Sequence, residues 1–237
     1  MSTQVKASYL FLAFIPHFVF YLLIQYFITT SQYDFLTELD AIVPFVPSFI
    51  WIYHTLLPVI FLTGLLLFKK KNVFLGFVTA NIFAGVVLCL FYILFPSFYP
   101  REMFVDTATV SGWLIEFTRT IDGAHNTFPS GHVTFAWLLV FFANLSQYVK
   151  NHRWIRISYF CWAALISIST LTLKQHYIVD VVSGLVLATA IFYGFKILPL
   201  FQAPRNLITI DAKSIPPRTA TTEVSIDCSR HIKRELC

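Results

Sequence analysis

The chain has 237 residues, of which 57% are apolar and 12% charged, about half the roughly 25% charged content usual in soluble domains. Its mean hydropathy is +0.70 and its net charge +5. A soluble globule of this size cannot hide so much apolar surface, and the same composition excludes a disordered chain or a disulfide scaffold. What remains is an all-α, polytopic membrane protein with no room for a large soluble domain.

Six apolar runs mark the predicted spans, at roughly 7–29, 43–68, 73–95, 132–149, 155–173 and 177–199. Each is near the ~20 residues that cross a bilayer. The first is too long for the apolar region of a cleaved signal peptide, and no small-x-small cleavage site follows it. Pro16 and Pro58 sit inside predicted spans and can kink them. From about residue 201 the apolar pattern stops, giving way to a Pro-Pro pair and a Ser/Thr-rich stretch. The expected organisation is a six-helix membrane domain, 1–200, and a flexible cytoplasmic tail, 201–237. Cys89 and Cys161 lie in apolar runs and Cys228 and Cys237 in the tail, with no metal-knuckle or paired spacing.

The basic residues divide unevenly among the connections. The N-terminal stub, the 69–71 and 150–156 connections and the segment from Lys196 onward hold fourteen of the 17 Lys and Arg. The other side holds three, Arg101, Arg119 and Lys174. The positive-inside rule places both termini in the cytoplasm, and an even number of spans agrees. The long 96–131 connection and the 174–176 turn then face the periplasm or a lumen. The positive charge follows membrane topology and is not the footprint of a nucleic-acid partner. The three outward cations run against the bias, which makes them candidates for binding an anion.

Two outward segments carry the chemistry. Phe128-Pro129-Ser130-Gly131-His132 precedes the fourth span. Ser130 is a favourable N-cap, Gly131 leaves space for a ligand near the backbone, and the start of a helix presents N–H groups and a positive dipole end to an anion. His132 beside it can exchange a proton. Lys174-Gln175-His176-Tyr177-Ile178-Val179-Asp180 opens the sixth span. His176 and Asp180, four apart, share a helix face, so the carboxylate can fix the imidazole tautomer and leave the other nitrogen as a nucleophile. Asp180 lies within an apolar run, where an ionisable side chain is costly and usually functional. A zinc set of His125, His132, His176 and Asp180 lacks a His-Glu-x-x-His pattern and any Cys ligand, so neither a metal nor a cofactor is expected. Glu116, Asp122, His125 and Asn126 read as a solvated loop. His17 and His54 read as hydrogen-bonded within the bundle, and Trp113, Trp137, Trp154 and Trp162 as interface or core residues.

The segments 128–132 and 176–180 resemble the second and third signatures of the type-2 phosphatidic acid phosphatase superfamily. The stretch Tyr92 to Arg101 is similar to the degenerate first signature of the branch that includes inositol phosphorylceramide synthases and bacterial relatives, as are Asp40 to Pro47 and Ile52-Tyr53. The resemblance covers roughly 40–185. It implies a six-helix, metal-independent membrane enzyme in which His176 attacks phosphorus and carries a phosphohistidine, Asp180 orients it, and His132 protonates the leaving oxygen and then activates the acceptor. Ser130, Gly131 and Arg101 would bind phosphate oxygens. The chain departs from the fuller pattern at Leu94, where a Lys is usual, at Glu102, where Pro follows the Arg, and at Ser169-Thr170, where Ser-Arg is usual. Lys174 and Arg119 are the cations left to compensate. The implied substrate is a membrane lipid within the phospholipid bilayer of a bacterial inner membrane or a eukaryotic endomembrane. Three functions compete: a lipid phosphatase acting on a phosphate monoester or diphosphate, a phosphotransferase moving a phospho-headgroup from a diester to a lipid alcohol, and a non-enzymatic transporter or scaffold. Internal repeats and broken helices in matching positions, the mark of many transporters, are not evident.

Overall fold

The computed structural model describes residues 1–30, 32–101 and 104–197. The predicted tail, 201–237, lies outside the described residues, as does Glu102. Among the described residues the elements are helices, with two isolated bridges, Tyr33 to Ser97 and Phe98 to His125, and no strand.

The long helices are α1 (Thr3–Phe27), α5 (Lys71–Leu94), α9 (Arg153–Thr172) and α10 (Ile178–Ile197), with a single short turn, α2 (Glu38–Ile42), after α1. A broken segment, Pro47–Leu66, is made of a 3₁₀ turn, α3 (Ile50–Tyr53) and α4 (Leu56–Leu66). These five are long and apolar enough to cross a membrane. The chain is a multi-pass membrane protein. The break at His54-Thr55 has a local cause. Pro58 has no N–H to give the carbonyl of residue 54, and its ring crowds that carbonyl.

The fourth predicted span is shorter than expected. Its helix, α7 (Gly131–Ala143), has 13 residues, about 20 Å of rise against a ~30 Å apolar layer. Asn144 and Ser146 stop it. The Asn144 amide donates back to the Val140 carbonyl at 2.8 Å, and Ser146 Oγ donates to the Leu67 carbonyl at 3.2 Å. The Asn144 amide thus competes for a carbonyl of the helix itself, whereas Ser146 is turned to the end of α4. A separate turn, α8 (Gln147–Asn151), follows. Helix α7 is nonetheless the centre of the bundle. Most of its residues are buried, and it packs against α10, α9, α5 and α4. Helix α1 lies on α5 and α4, and Gly85 of α5 allows close approach, since a Cβ there would stand 3.0 Å from the Cβ of His17. At the end carrying the N-terminus, Lys6 Nζ donates to the carbonyls of Leu65 and Phe68 at 3.1 and 2.8 Å, capping α4.

The long 96–131 connection contains a helix that no apolar run announced, α6 (Val110–Ile121), packed on α3 and the 3₁₀ turn. Thr109 caps it, accepting from Gly112 N–H at 3.1 Å. A Cβ on Gly112 would stand 2.0 Å from the Asp106 carbonyl oxygen. Val110, Trp113, Phe117 and Ile121 form its exposed apolar stripe, as on helices that lie in a membrane interface.

Candidate active site

The N-termini of α7 and α10 meet at one end of the bundle. Ser130 N–H donates to the Asp180 carbonyl at 3.0 Å, and its Oγ caps α7 by accepting from Val133 N–H at 3.4 Å. Thr134 Oγ1 donates to the Ser130 and Gly184 carbonyls at 2.8 and 3.2 Å. Gly184 makes this approach possible, because a Cβ there would stand 2.7 Å from the Ser130 carbonyl oxygen. The stretch 92–101 is wrapped around the same end. Ser97 Oγ accepts from Thr127 N–H and Phe128 N–H at 3.1 and 3.0 Å, Tyr99 N–H donates to the Ala124 carbonyl at 2.9 Å, and Tyr92 Oη donates to the Pro129 carbonyl at 3.2 Å.

His176 Nδ1 lies 3.3 Å from Asp180 Oδ2, which also accepts from Tyr177 N–H at 3.0 Å. Asp180 is fully buried. With Nδ1–H given to the carboxylate, Nε2 carries the lone pair. The rings of His176 and His132 have centroids 6.2 Å apart. On the far side of His132, Tyr53 Oη donates to Asp122 Oδ2 at 2.9 Å and lies 3.4 Å from His132 Nδ1. Since Tyr53 has one hydroxyl proton and gives it to Asp122, His132 Nδ1 is the donor towards Tyr53, and its Nε2 is the nitrogen available to substrate.

Asp122 is the main residue of the cavity that sequence reasoning placed wrongly. It is no solvated loop residue. Its other oxygen accepts from Tyr21 Oη, and its backbone carbonyl from Arg101 Nη1, while Arg101 Nη2 donates to the Gly123 carbonyl at 2.6 Å. Burial alone would raise its carboxyl, but His132, Arg101 and the Tyr21 bond together outweigh burial and hold it below the usual carboxylate range. Asn126 is also buried rather than solvated, with φ at 62°, a left-handed conformation that Asn tolerates better than most residues. His125 is partly buried, and burial and Arg101 both lower its imidazole. Glu116 does meet solvent, in an ion pair of 2.7 Å with Arg119.

A cavity of about 530 Å³ joins these groups, within the size range of small-molecule sites. One end is polar, with Tyr53, Arg101, Asp122, His132, Gln175 and His176. The other is apolar, walled by Phe11, Phe14 and Phe18 of α1 and Leu57 and Phe61 of α4. His17 and His54 line it as well. His54 Nε2 lies 2.9 Å from Thr118 Oγ1, and His17 Nδ1 lies 3.6 Å from Cys89 Sγ.

Of the residues expected to hold phosphate, Arg101 and Gly131 line the cavity. The space that Gly131 leaves is taken by Tyr92, whose hydroxyl would be 3.2 Å from a Cβ there. Ser130 is fully buried and is spent on capping. Lys174 does not line the cavity. Its Nζ donates to the Asp40 carbonyl at 2.9 Å. Arg119 is likewise outside it, beside Glu116. Asp40 itself caps α10, accepting Ile178 N–H on Oδ1 at 2.7 Å. Among the described residues, no group of three His, Cys, Asp or Glu converges as metal ligands would.

A family model described as the PAP2 superfamily matches residues 36–194. The chain belongs to the PAP2 superfamily. The match takes in every residue of the polar end of the cavity, and with it a phosphatase- or phosphotransferase-type function. The two PAP2 segments singled out in the sequence, 128–132 and 176–180, are those joined through Ser130 and Asp180. No curated protein matches the chain.

Proposed function

We propose that this PAP2 protein is an integral membrane lipid phosphatase that hydrolyses a lipid phosphate monoester or diphosphate through a phosphohistidine. The observation that carries this is the two-ended cavity. Its polar end holds two imidazoles separated by a space suited to a phosphoryl group, and its apolar walls suit the chain of an amphiphile. His176 Nε2 attacks phosphorus, with Asp180 stabilising the imidazolium that forms. His132 gives a proton to the departing alkoxide, then takes one from the water that cleaves the phosphohistidine. Asp122 acts through Tyr53 to hold His132, and the Arg101 charge favours the phosphoryl anion. In this reading the bundle crosses the membrane six times with both termini in the cytoplasm, α7 making the fourth crossing, and the site faces the periplasm or lumen.

A second reading, transfer of a phospho-headgroup from a diester to a lipid alcohol, as in the branch with inositol phosphorylceramide synthases, is favoured by one observation. Among the described residues, Arg101 is the one Lys or Arg lining the cavity. A single cation matches a singly charged diester. The purified full chain should be incubated with a panel of lipid phosphates, with and without diacylglycerol or ceramide, and the products identified by mass. Release of inorganic phosphate supports the first reading and headgroup transfer the second. No turnover of any lipid in the panel would overturn both.

A further inference from the structure

Two carboxamides lie in the cavity wall without a use in the scheme above. Asn126 is 3% exposed and Gln175 2%, and both line the cavity with His132, His176 and Arg101. The amide nitrogen and oxygen of each are buried, with no hydrogen-bond partner among the described residues. Buried polar groups are almost always paired, because an unpaired one forfeits its hydration. The two amide nitrogens are donors in the wall of one cavity, which suits a ligand bearing acceptor oxygens.

The backbone holds both residues in place. Asn126 sits on the segment that pairs with 97–99, its N–H donating to the Ser97 carbonyl at 3.0 Å. Gln175 directly precedes His176, and the N–H groups of both donate to the Thr170 carbonyl, at 3.0 and 3.2 Å. Thr170 stands where the fuller pattern has an Arg. The turn that would carry a phosphate-binding cation thus presents a neutral amide beside the nucleophile.

We propose that the Asn126 and Gln175 carboxamides bind the non-bridging oxygens of the substrate phosphoryl group in place of cations, and that the site therefore selects a singly charged phosphodiester headgroup. Amide N–H groups are donors without net charge. Among the described residues, Arg101 is the one cation set against the substrate charge, and beside the Asp122 and Asp180 carboxylates each further negative charge on the phosphoryl group is unfavourable, so a dianionic monoester is disfavoured relative to a singly charged diester. The inference rests on the phosphoryl-transfer reading and, within it, favours the second form, transfer from a diester, over monoester hydrolysis.

The test is equilibrium binding to the full-length protein in detergent. The probes are dioctanoyl phosphatidylglycerol, a diester, and dioctanoyl phosphatidic acid, a monoester, at alkaline pH, where the monoester carries close to two charges. The diester should bind the wild type more tightly. Asn126→Asp and Gln175→Glu, which keep the size and add an anion, should each weaken diester binding about tenfold or more, the scale of one hydrogen bond. Gln175→Leu should weaken it similarly while leaving Tm unchanged or raised, because it removes unpaired buried atoms. A residue needed only for folding would lower Tm. Variants that bind the diester as the wild type does, or a wild type that prefers the monoester, would overturn the inference. If turnover of lipid phosphates stays intact in that event, this inference alone falls. A wild type that neither binds nor turns over either lipid sinks the phosphoryl-transfer reading with it.

Discussion

The rings of Tyr53 and His132 stack with centroids 4.2 Å apart and planes 30° from parallel. The stacking and the chain of contacts from Asp122 through the Tyr53 hydroxyl to His132 Nδ1 leave the imidazole little freedom to rotate. Tyr53→Phe keeps the ring and removes the link. It should lower kcat by about tenfold for esters with poor leaving groups, on the scale of one hydrogen bond, and should spare a nitrophenyl ester, which needs no proton at the departing oxygen. Equal losses on both substrates would argue against His132 as the acid.

His176→Ala should abolish turnover. Acid quenching of the wild type during turnover should trap an acid-labile phosphoenzyme that the variant does not form. Asp180→Asn should fold and lose several orders of magnitude in rate, by analogy with the ~10⁴ lost when a serine-protease triad loses its carboxylate. A phosphoenzyme in the His176→Ala protein would move the nucleophile elsewhere.

Arg101→Ala should reduce turnover far more than Arg119→Ala, since Arg101 lines the cavity and Arg119 is held beside Glu116 outside it. Lys174→Ala should act on stability, by freeing the Asp40 carbonyl and the cap of α10. Rates measured per folded molecule, with folding followed by thermal melting, separate the two effects. Comparable rate losses for Arg101→Ala and Arg119→Ala would contradict the placement.

Asp122 sets a pH dependence. Its folded-state carboxyl lies below the ordinary value near 3.9. Its stabilising contribution is therefore complete above that unfolded-state value and disappears as the pH falls through the folded one. Asp122→Asn should melt earlier than the wild type near neutral pH, and the gap should close as the solution is acidified. A gap that stays constant down to acid pH would show that the carboxylate charge is not what stabilises.

Gly184→Ala should be disproportionately harmful for one methyl group. The new Cβ would meet a backbone oxygen, that of Ser130, at 2.7 Å. The expected cost is about 1–3 kcal/mol of stability, with loss of activity as α10 and α7 move apart. A variant with wild-type melting and turnover would show that the two helix starts can separate freely.

Much of this arrangement could be read from the sequence because it depends on neighbours in the chain. The apolar runs gave the long helices, Ser130 caps the helix expected after it, and His176 and Asp180 meet across one helical turn. What escaped depends on distant partners. Asp122 and Asn126 look like loop residues until Tyr21, Tyr53 and Ser97, far away in sequence, close over them. The outward cations could be counted but not aimed. Lys174 has φ at 55° and donates to Asp40, where its place among the outward cations had suggested phosphate. The fourth run read as a full span because its composition is mostly apolar, while its helix ends where Asn144 bonds back to the Val140 carbonyl and Ser146 reaches the distant Leu67 carbonyl.

The tie between Ser130 N–H and the Asp180 carbonyl involves no side chain. The starts of α7 and α10 are therefore tied by main chain, while Tyr53 and Asp180 orient the imidazoles of His132 and His176 that these helices carry. That makes the scaffold suitable for retargeting. Amides, cations or hydroxyls can be substituted at positions 126 and 175, which line the cavity, while the main-chain tie between the two helix starts stays as it is.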